Sequence, residues 1–212
     1  MHDTFDGHAY FKNIFAKHPV VRSATNQRFV YSNLGYVLLG WIIEHLTGHT
    51  YQDYITQHII TPLGLTPDDL GFRVQDHDHH ARGYHKLWSA SNLILGLMLD
   101  KQTYMGKPER GWKPFNSFYV NGEAYGGLIG TPLALVRYTQ ELLRPDCILL
   151  KEHFKQMMLT ENHTAAGKPT GMCLSWFSGK LSGRTYYTHA GGGGGFYIEM
   201  RMYPAEGIGS VL

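Results

Sequence analysis

Tyr31, Ser32 and Asn33 stand together immediately ahead of a strongly apolar run, and two of the three carry side chains suited to acyl and proton chemistry. A phenol can move a proton and a carboxamide can hold a carbonyl, provided that a rigid element fixes both. A second locus is His189-Ala190-Gly191-Gly192-Gly193-Gly194-Gly195-Phe196, in which a histidine is followed, one residue later, by five glycines. Successive glycines expose backbone N–H groups and let a ligand approach closely, which suits an anion or an oxyanion. A third is Asp76-His77-Asp78-His79-His80, five consecutive potential metal ligands. Each also has a plainer reading: a half-buried tyrosine beside a helix-capping asparagine at 31–33, a flexible glycine loop, and a solvated surface loop at 76–80. Neighbouring residues of an extended run point to opposite sides, whereas structural metal sites draw ligands from separated elements, so no metal is assigned.

The elements that must position these groups follow from periodicity. Leu34, Val37, Leu38, Trp41, Ile42 and Leu46 recur at helical spacing, predicting a helix from about Asn33 to Thr47 with that face in the core and Gly48 as its left-handed end. Thr50 with Asp53 starts a second helix, with Tyr51, Tyr54, Ile55, His58 and Ile59 on its apolar face and Pro62 as its stop. Residues Met1 to Gln27 are expected to be an irregular approach, with one short helical face at Tyr10, Phe11, Ile14 and Phe15. Thr66 to Gly122 reads as short elements and loops. Thr131-Pro132 opens a helix bearing Leu135, Val136, Leu142 and Leu143, and Lys151 to Leu159 forms another that brings Phe154, Met157 and Met158 together, the Met pair being expected to pack in the core. From Gly171 the period changes to two. Met172 to Phe177, Arg184 to His189 and Phe196 to Met202 are predicted as adjacent antiparallel strands, the first two joined around Gly179 to Gly183, with Ile208 to Leu212 starting another.

Composition narrows the class of protein. A chain of 212 residues, 43% apolar and 17% charged, with 25 glycines and 14 tyrosines, is a tightly turned globular protein of one domain or two small ones. A net charge of +2 implies no basic face for nucleic acid. Cys147 and Cys173 are too few for a disulfide framework, and free thiols are expected. His2, Asp3, Thr4 and Asp6 interrupt any signal-peptide-like run, and the apolar runs Tyr36–Ile43 and Leu93–Leu99 fall short of the roughly 20 residues that cross a bilayer, so the expectation is a soluble chain with no membrane span. The cellular compartment is not legible.

Taken together, the two glycine- and tyrosine-bearing motifs resemble those of the serine β-lactamase and penicillin-binding-protein-like superfamily, in particular its class C β-lactamase, D-alanyl-D-alanine carboxypeptidase and family VIII esterase branch. That family carries Ser-x-x-Lys, then Tyr-x-Asn, then Lys-Thr-Gly or His-x-Gly on a sheet-edge strand. Tyr31-Ser32-Asn33 looks like the second element and His189-Ala190-Gly191 like the third. Leu34 to Gly40, Pro62-Leu63-Gly64-Leu65, Ala81-Arg82-Gly83-Tyr84 and Gly126-Gly127-Leu128 with Thr131 are family-like stretches in the same order. The resemblance implies an α/β (α+β) fold, an antiparallel sheet flanked by helices with a mainly helical lobe. Residues 28–170 would form that lobe and 171–212 the sheet.

It also implies roles. Tyr31 would be, or assist, the general base; Asn33 would bond the acyl-side carbonyl or amide; and His189 would border the pocket where relatives often have lysine. Gly191 and Gly192 would line the substrate, the N–H near Gly192 supplying half of an oxyanion hole. No cofactor is implied, and the ligand class is a small ester, peptide or β-lactam. None of the nine serines is followed three residues on by lysine. The expectation is therefore the family's fold without its nucleophile-bearing N-terminal portion and its last strand and helix, weak or inactive by itself, because a positioned tyrosine and asparagine do not replace a nucleophile. Open sheet edges are expected to favour self-association. Histidine in place of a permanent cation tilts the expected activity toward an esterase or peptidase. The alternatives are a non-catalytic binding relative of the same fold and, last, a metal-dependent hydrolase built on residues 77–80.

Overall fold

The computed structural model describes residues 6–18, 24–89 and 100–212; the apolar run Leu93–Leu99 lies outside the described residues. Asp6 caps the first helix, α1 (Gly7–Lys17), by accepting the Ala9 N–H at 2.9 Å. The described residues 24–32 follow an irregular path, while the expected short helical face at Tyr10–Phe15 is part of a full helix. The reason is tertiary: His8 stacks on Trp41 with ring centroids 4.8 Å apart, and Phe11 and Phe15 meet the same indole edge-on.

Trp41 belongs to α2 (Asn33–Thr47), which begins at the Ser32 cap and ends at Gly48 with φ 72°, as its periodicity predicts. Its packing differs from the expectation. Val37 and Gly40 are buried, with Trp41 partly covered, whereas Leu34, Leu38, Ile42 and Leu46 are 37%, 41%, 52% and 77% exposed. Gly40 explains the choice of face. A Cβ there would lie 2.8 Å from the Ala124 Cβ, so the missing side chain lets the 3-10 turn Glu123–Tyr125 press onto α2.

The next helix, α3 (Tyr51–Ile55), runs on as a π turn through Ile60, and its Thr50 cap accepts the Asp53 N–H at 3.1 Å. Ile55 and Ile60 join Leu70, Phe72 and Ala134 in a core under the helices. Leu70 and Ala134 arrive with the short pair β1 (Leu70–Gly71) and β4 (Ile129–Gly130) and with a later helix. Between them lie a second short pair, β2 (Tyr84–Lys86) with β3 (Trp112–Pro114), and α4 (Lys101–Tyr104). The later helix, α5 (Pro132–Leu143), starts at Thr131, whose hydroxyl accepts the Ala134 N–H at 3.2 Å. At its far end Leu142 enters a second core with Cys173, Trp176 and Met202, so one helix serves both. Tyr138 packs against that second core, where burial pushes its pKa up to about 12. Cys147 and Cys173 are both free.

Helix α6 (Glu152–Leu159) departs from its predicted packing. Met158 lies against the second core, but Phe154 and Met157 are exposed, and Lys155 is the buried residue. Its ammonium is satisfied by the Arg144 carbonyl at 2.6 Å and the Glu152 carboxylate at 3.1 Å, which is what permits a lysine there.

Four antiparallel strands follow in sequence order: β5 (Phe177–Leu181), β6 (Arg184–Gly193), β7 (Phe196–Tyr203) and β8 (Ile208–Val211). The first starts five residues later than its alternation predicts. Ser175 has φ 67°, and the Cys173 N–H bonds the Trp176 carbonyl at 2.7 Å, so 172–176 is a turn. Gly179 is accordingly paired within the sheet, and the chain reverses at Ser182-Gly183, both at positive φ. Nor does His189 end its strand. Pairing continues from His189↔Met200 to Gly193↔Phe196, leaving only Gly194 and Gly195 for the turn. Among the described residues no helix is long and apolar enough to cross a membrane.

The segment leading into β2 crosses that glycine turn at closest range. A Cβ on Gly83 would sit 1.7 Å from the Gly194 carbonyl oxygen, and one on Gly195 would sit 2.4 Å from the Tyr84 nitrogen. Gly83→Ala is therefore expected to lower unfolding free energy by about 2 kcal/mol or more in urea titrations, an overpacking cost against backbone that cannot rotate away. Gly193→Ala, with open space around the new methyl, should stay within about 0.5 kcal/mol of the parent.

Candidate functional site

The candidate site lies where the start of α2 and the middle of β6 are linked through the Ser175 turn and Phe177. Ser32 takes the cap position, its hydroxyl accepting the Gly35 N–H at 3.1 Å. The cap is thus the serine, and Asn33 occupies the first helical position. Tyr31 and Asn33 are both exposed, and among the described residues neither side chain makes a hydrogen bond. Polar groups held at a rigid helix start without internal partners are available to a ligand.

The flanks of the triplet are tied to the sheet from both sides. Phe29 meets the ring of Phe177 edge-on at 6.1 Å, and Phe177 in turn faces the His189 ring at 6.3 Å. One turn into α2, the Tyr36 hydroxyl lies 2.7 Å from the Ser175 hydroxyl. The Ser175 carbonyl accepts a hydrogen bond from His189 Nδ1 at 2.5 Å. A carbonyl can only accept, so Nδ1 carries the proton, and the neutral ring offers Nε2 as a lone pair.

Past His189 the strand presents backbone. The register of β5 with β6 stops at Phe177↔Thr188, whereas β6 continues alongside β7 to Gly193. Among the described residues, no strand pairs the other edge of His189–Gly193. Gly191, opposite Ile198, and Gly192, opposite Tyr197, lie on that stretch, where the lack of side chains leaves room for a ligand beside the chain. The turn at its end is walled by Gly83 and by the Phe118 ring, which a Cβ on Gly194 would approach to 3.2 Å.

The histidine-rich loop is organised by its own bonds. Asp76 accepts the Asp78 and His79 N–H groups and pairs with His79 Nδ1 at 2.8 Å, while His80 Nδ1 bonds the His77 carbonyl at 2.8 Å. The His79 bond, then the Asp78 N–H, hold the Asp76 carboxyl below its ordinary range. Among the described residues no group of three or more His, Cys, Asp or Glu side chains is placed to hold a metal.

The segments that carry the two candidate motifs are thus linked through Tyr36, Ser175 and Phe177, which motif reading passes over. The one sequence signal they carried was the polar Ser175 interrupting an apolar alternation. Within the triplet, and among the described residues, only the Ser32 side chain makes a hydrogen bond. Ser32→Ala is expected to cost about 1 kcal/mol through loss of the cap, while Tyr31→Phe and Asn33→Ala should each stay within about 0.5 kcal/mol, all measured by urea denaturation.

Comparison with known proteins bears on the fold and the family. Bacillus subtilis penicillin-binding protein 4* is 29% identical over 127 residues, covering 58% of this chain and 26% of that protein. The octameric penicillin-binding protein homologue of Pyrococcus abyssi superposes with a TM-score of 0.70 at 22% identity, over 99% of this chain and 44% of that one. The D-amino acid amidase of Ochrobactrum anthropi SV3, complexed with L-phenylalanine, superposes with a TM-score of 0.71 at 20% identity, over 100% and 58%. The chain spans roughly a quarter of that curated relative and about half of these structures. These superpositions show the fold, a mixed helical and antiparallel-sheet architecture of the β-lactamase and transpeptidase type. A family model described as Beta-lactamase matches residues 3–212, and the chain belongs to that family of serine hydrolases and penicillin-binding proteins.

Proposed function

We propose that Tyr31, Asn33, His189, Gly191 and Gly192 form the substrate-facing side of an acyl-serine hydrolase site for small esters, amides or β-lactams. The observation that supports it best is the unpaired edge of β6, which begins at His189 and is tied through Ser175 to the helix that follows the Tyr31-x-Asn33 triplet. An acyl group lying along that edge would meet backbone N–H groups near Gly192, which stabilise a developing oxyanion. Asn33 would hold the carbonyl or amide on the acyl side, and the Tyr31 phenol would carry the proton. Among the structural relatives is a D-amino acid amidase complexed with L-phenylalanine amide, so amino-acid amides are sensible first ligands alongside penicillins.

The covalent step needs a nucleophile and its base. With no Ser-x-x-Lys among the 212 residues, the chain as given is read as binding ligand with little or no turnover. Intact-mass spectrometry after incubation with a fluorophosphonate and with labelled penicillin should show no stoichiometric adduct. Phenylalanine amide should bind reversibly, about 2- to 10-fold more weakly to Asn33→Ala, the loss of one hydrogen bond of ordinary strength. A single stoichiometric serine adduct would overturn the binding-only reading; no binding by the parent chain would overturn the site.

Self-association is part of the same proposal. The outer edge of β8 has no partner among the described residues, and Leu34, Leu38, Ile42 and Leu46 form an exposed apolar stripe on α2. An open strand edge is a template for pairing with another chain and a contiguous apolar patch marks an interaction surface, and the P. abyssi relative is octameric. Light scattering should give a mass that is a multiple of the chain's; a clean monomer at tens of micromolar would count against it.

A further inference from the structure

Ser175 stands where an ordinary side chain is unfavourable. Its φ of 67° lies in the left-handed region, which costs a residue with a Cβ about 1 kcal/mol and which glycine would occupy freely. The residue also makes two bonds that leave it in different directions. Its hydroxyl meets the Tyr36 hydroxyl at 2.7 Å, and its carbonyl accepts Nδ1–H of His189 at 2.5 Å. A strained residue that is over-determined by its surroundings, beside a candidate site, is a reasonable place to look for function.

Two consequences follow from the geometry. The first bond crosses from helix to turn, so it sets where the backbone of Ser175 lies relative to α2. The second determines which nitrogen of His189 holds the proton. Among the described residues Nε2 makes no hydrogen bond, so in the neutral ring it is a free acceptor. It suits a ligand group that donates, such as an amide N–H, an ammonium or a hydroxyl, rather than a bare carboxylate.

We infer that Ser175, anchored by Tyr36, is a positioning residue that holds His189 as the Nδ1–H tautomer and so keeps Nε2 as an acceptor for a donor-bearing substrate. This deepens the proposed site and rests on it for the substrate, but the tautomer itself can be read without any ligand. Losing a hydrogen bond of ordinary strength shifts an equilibrium by about 2- to 10-fold.

The test uses the full chain with ring-15N-labelled histidine and long-range 1H–15N spectra above the pH at which imidazoles are charged, with His189 assigned by its loss in His189→Gln. The parent should show His189 protonated at Nδ1. Tyr36→Phe and Ser175→Gly should each raise the Nε2–H population by about 2- to 10-fold, and the double variant should show no more than either alone, because both remove the same contact. Ser175→Gly keeps a backbone that glycine adopts without strain, and circular dichroism checks that both variants fold. An unchanged tautomer in either single variant, or shifts that add in the double, overturns the inference. Failure of phenylalanine amide to bind the parent chain would instead strike at the substrate site and leave the tautomer result standing.

Discussion

The two bonds made by Ser175 are the constraint on which the rest of the site depends. One runs to Tyr36 on α2 and the other to His189 on β6, so a single residue links the helix that follows the Tyr31-x-Asn33 triplet to the strand that carries His189. Each bond by itself contributes modestly, about 0.5–1.5 kcal/mol. Their value lies in sharing an origin: neither the helix start nor the strand can slide without straining the other's anchor. Phe177 reinforces the junction by lying between Phe29 and His189, which fills with apolar surface the gap that the hydrogen bonds span.

Behind the junction, α5 carries the load between the helices and the sheet. Ala134 near its start belongs to the core with Ile55, Ile60, Leu70 and Phe72, and Leu142 near its end to the core with Cys173, Trp176 and Met202. The sheet comes close enough to be held because Gly209 on β8 has no side chain; a Cβ there would sit 2.6 Å from Thr139. The sheet's position relative to the helices, and with it the position of β6, is therefore set by one helix packed at both ends.

Much of this was legible in the sequence, and the remainder was hidden for identifiable reasons. The helix Asn33–Thr47 could be bounded to the residue because its apolar spacing, its polar start and its terminal glycine agree. The period of two marked β7 and the start of β6, but not the run of β6 beyond His189, where glycines carry no alternation. The start of β5 was misplaced because alternation carries no information about the sign of φ at Ser175. The buried face of α2 was misjudged because Gly40 counts as nothing in an apolar pattern, yet the absence of its side chain decides which neighbour approaches. Lys155 ran against the usual burial order because its partner is a backbone carbonyl, invisible in residue types. Both motifs could be read as motifs. The contact that joins them spans 139 positions along the chain, and no local pattern reports on a pair so far apart.

The crossing of Gly83 over the Gly194-Gly195 turn is made by backbone on both sides. The end of the β6–β7 hairpin is thus held against the segment entering β2 by atoms that every residue type shares, with Arg82, Tyr84 and Phe118 as its neighbours. Selection could exchange those neighbours to suit a bulkier, smaller or more polar ligand while the glycines stayed constant. A crossing built in this manner needs glycine at 83 and 195 but leaves the side chains beside them open to change, so under the proposed site those neighbours are the natural place for a library that seeks to redirect ligand choice.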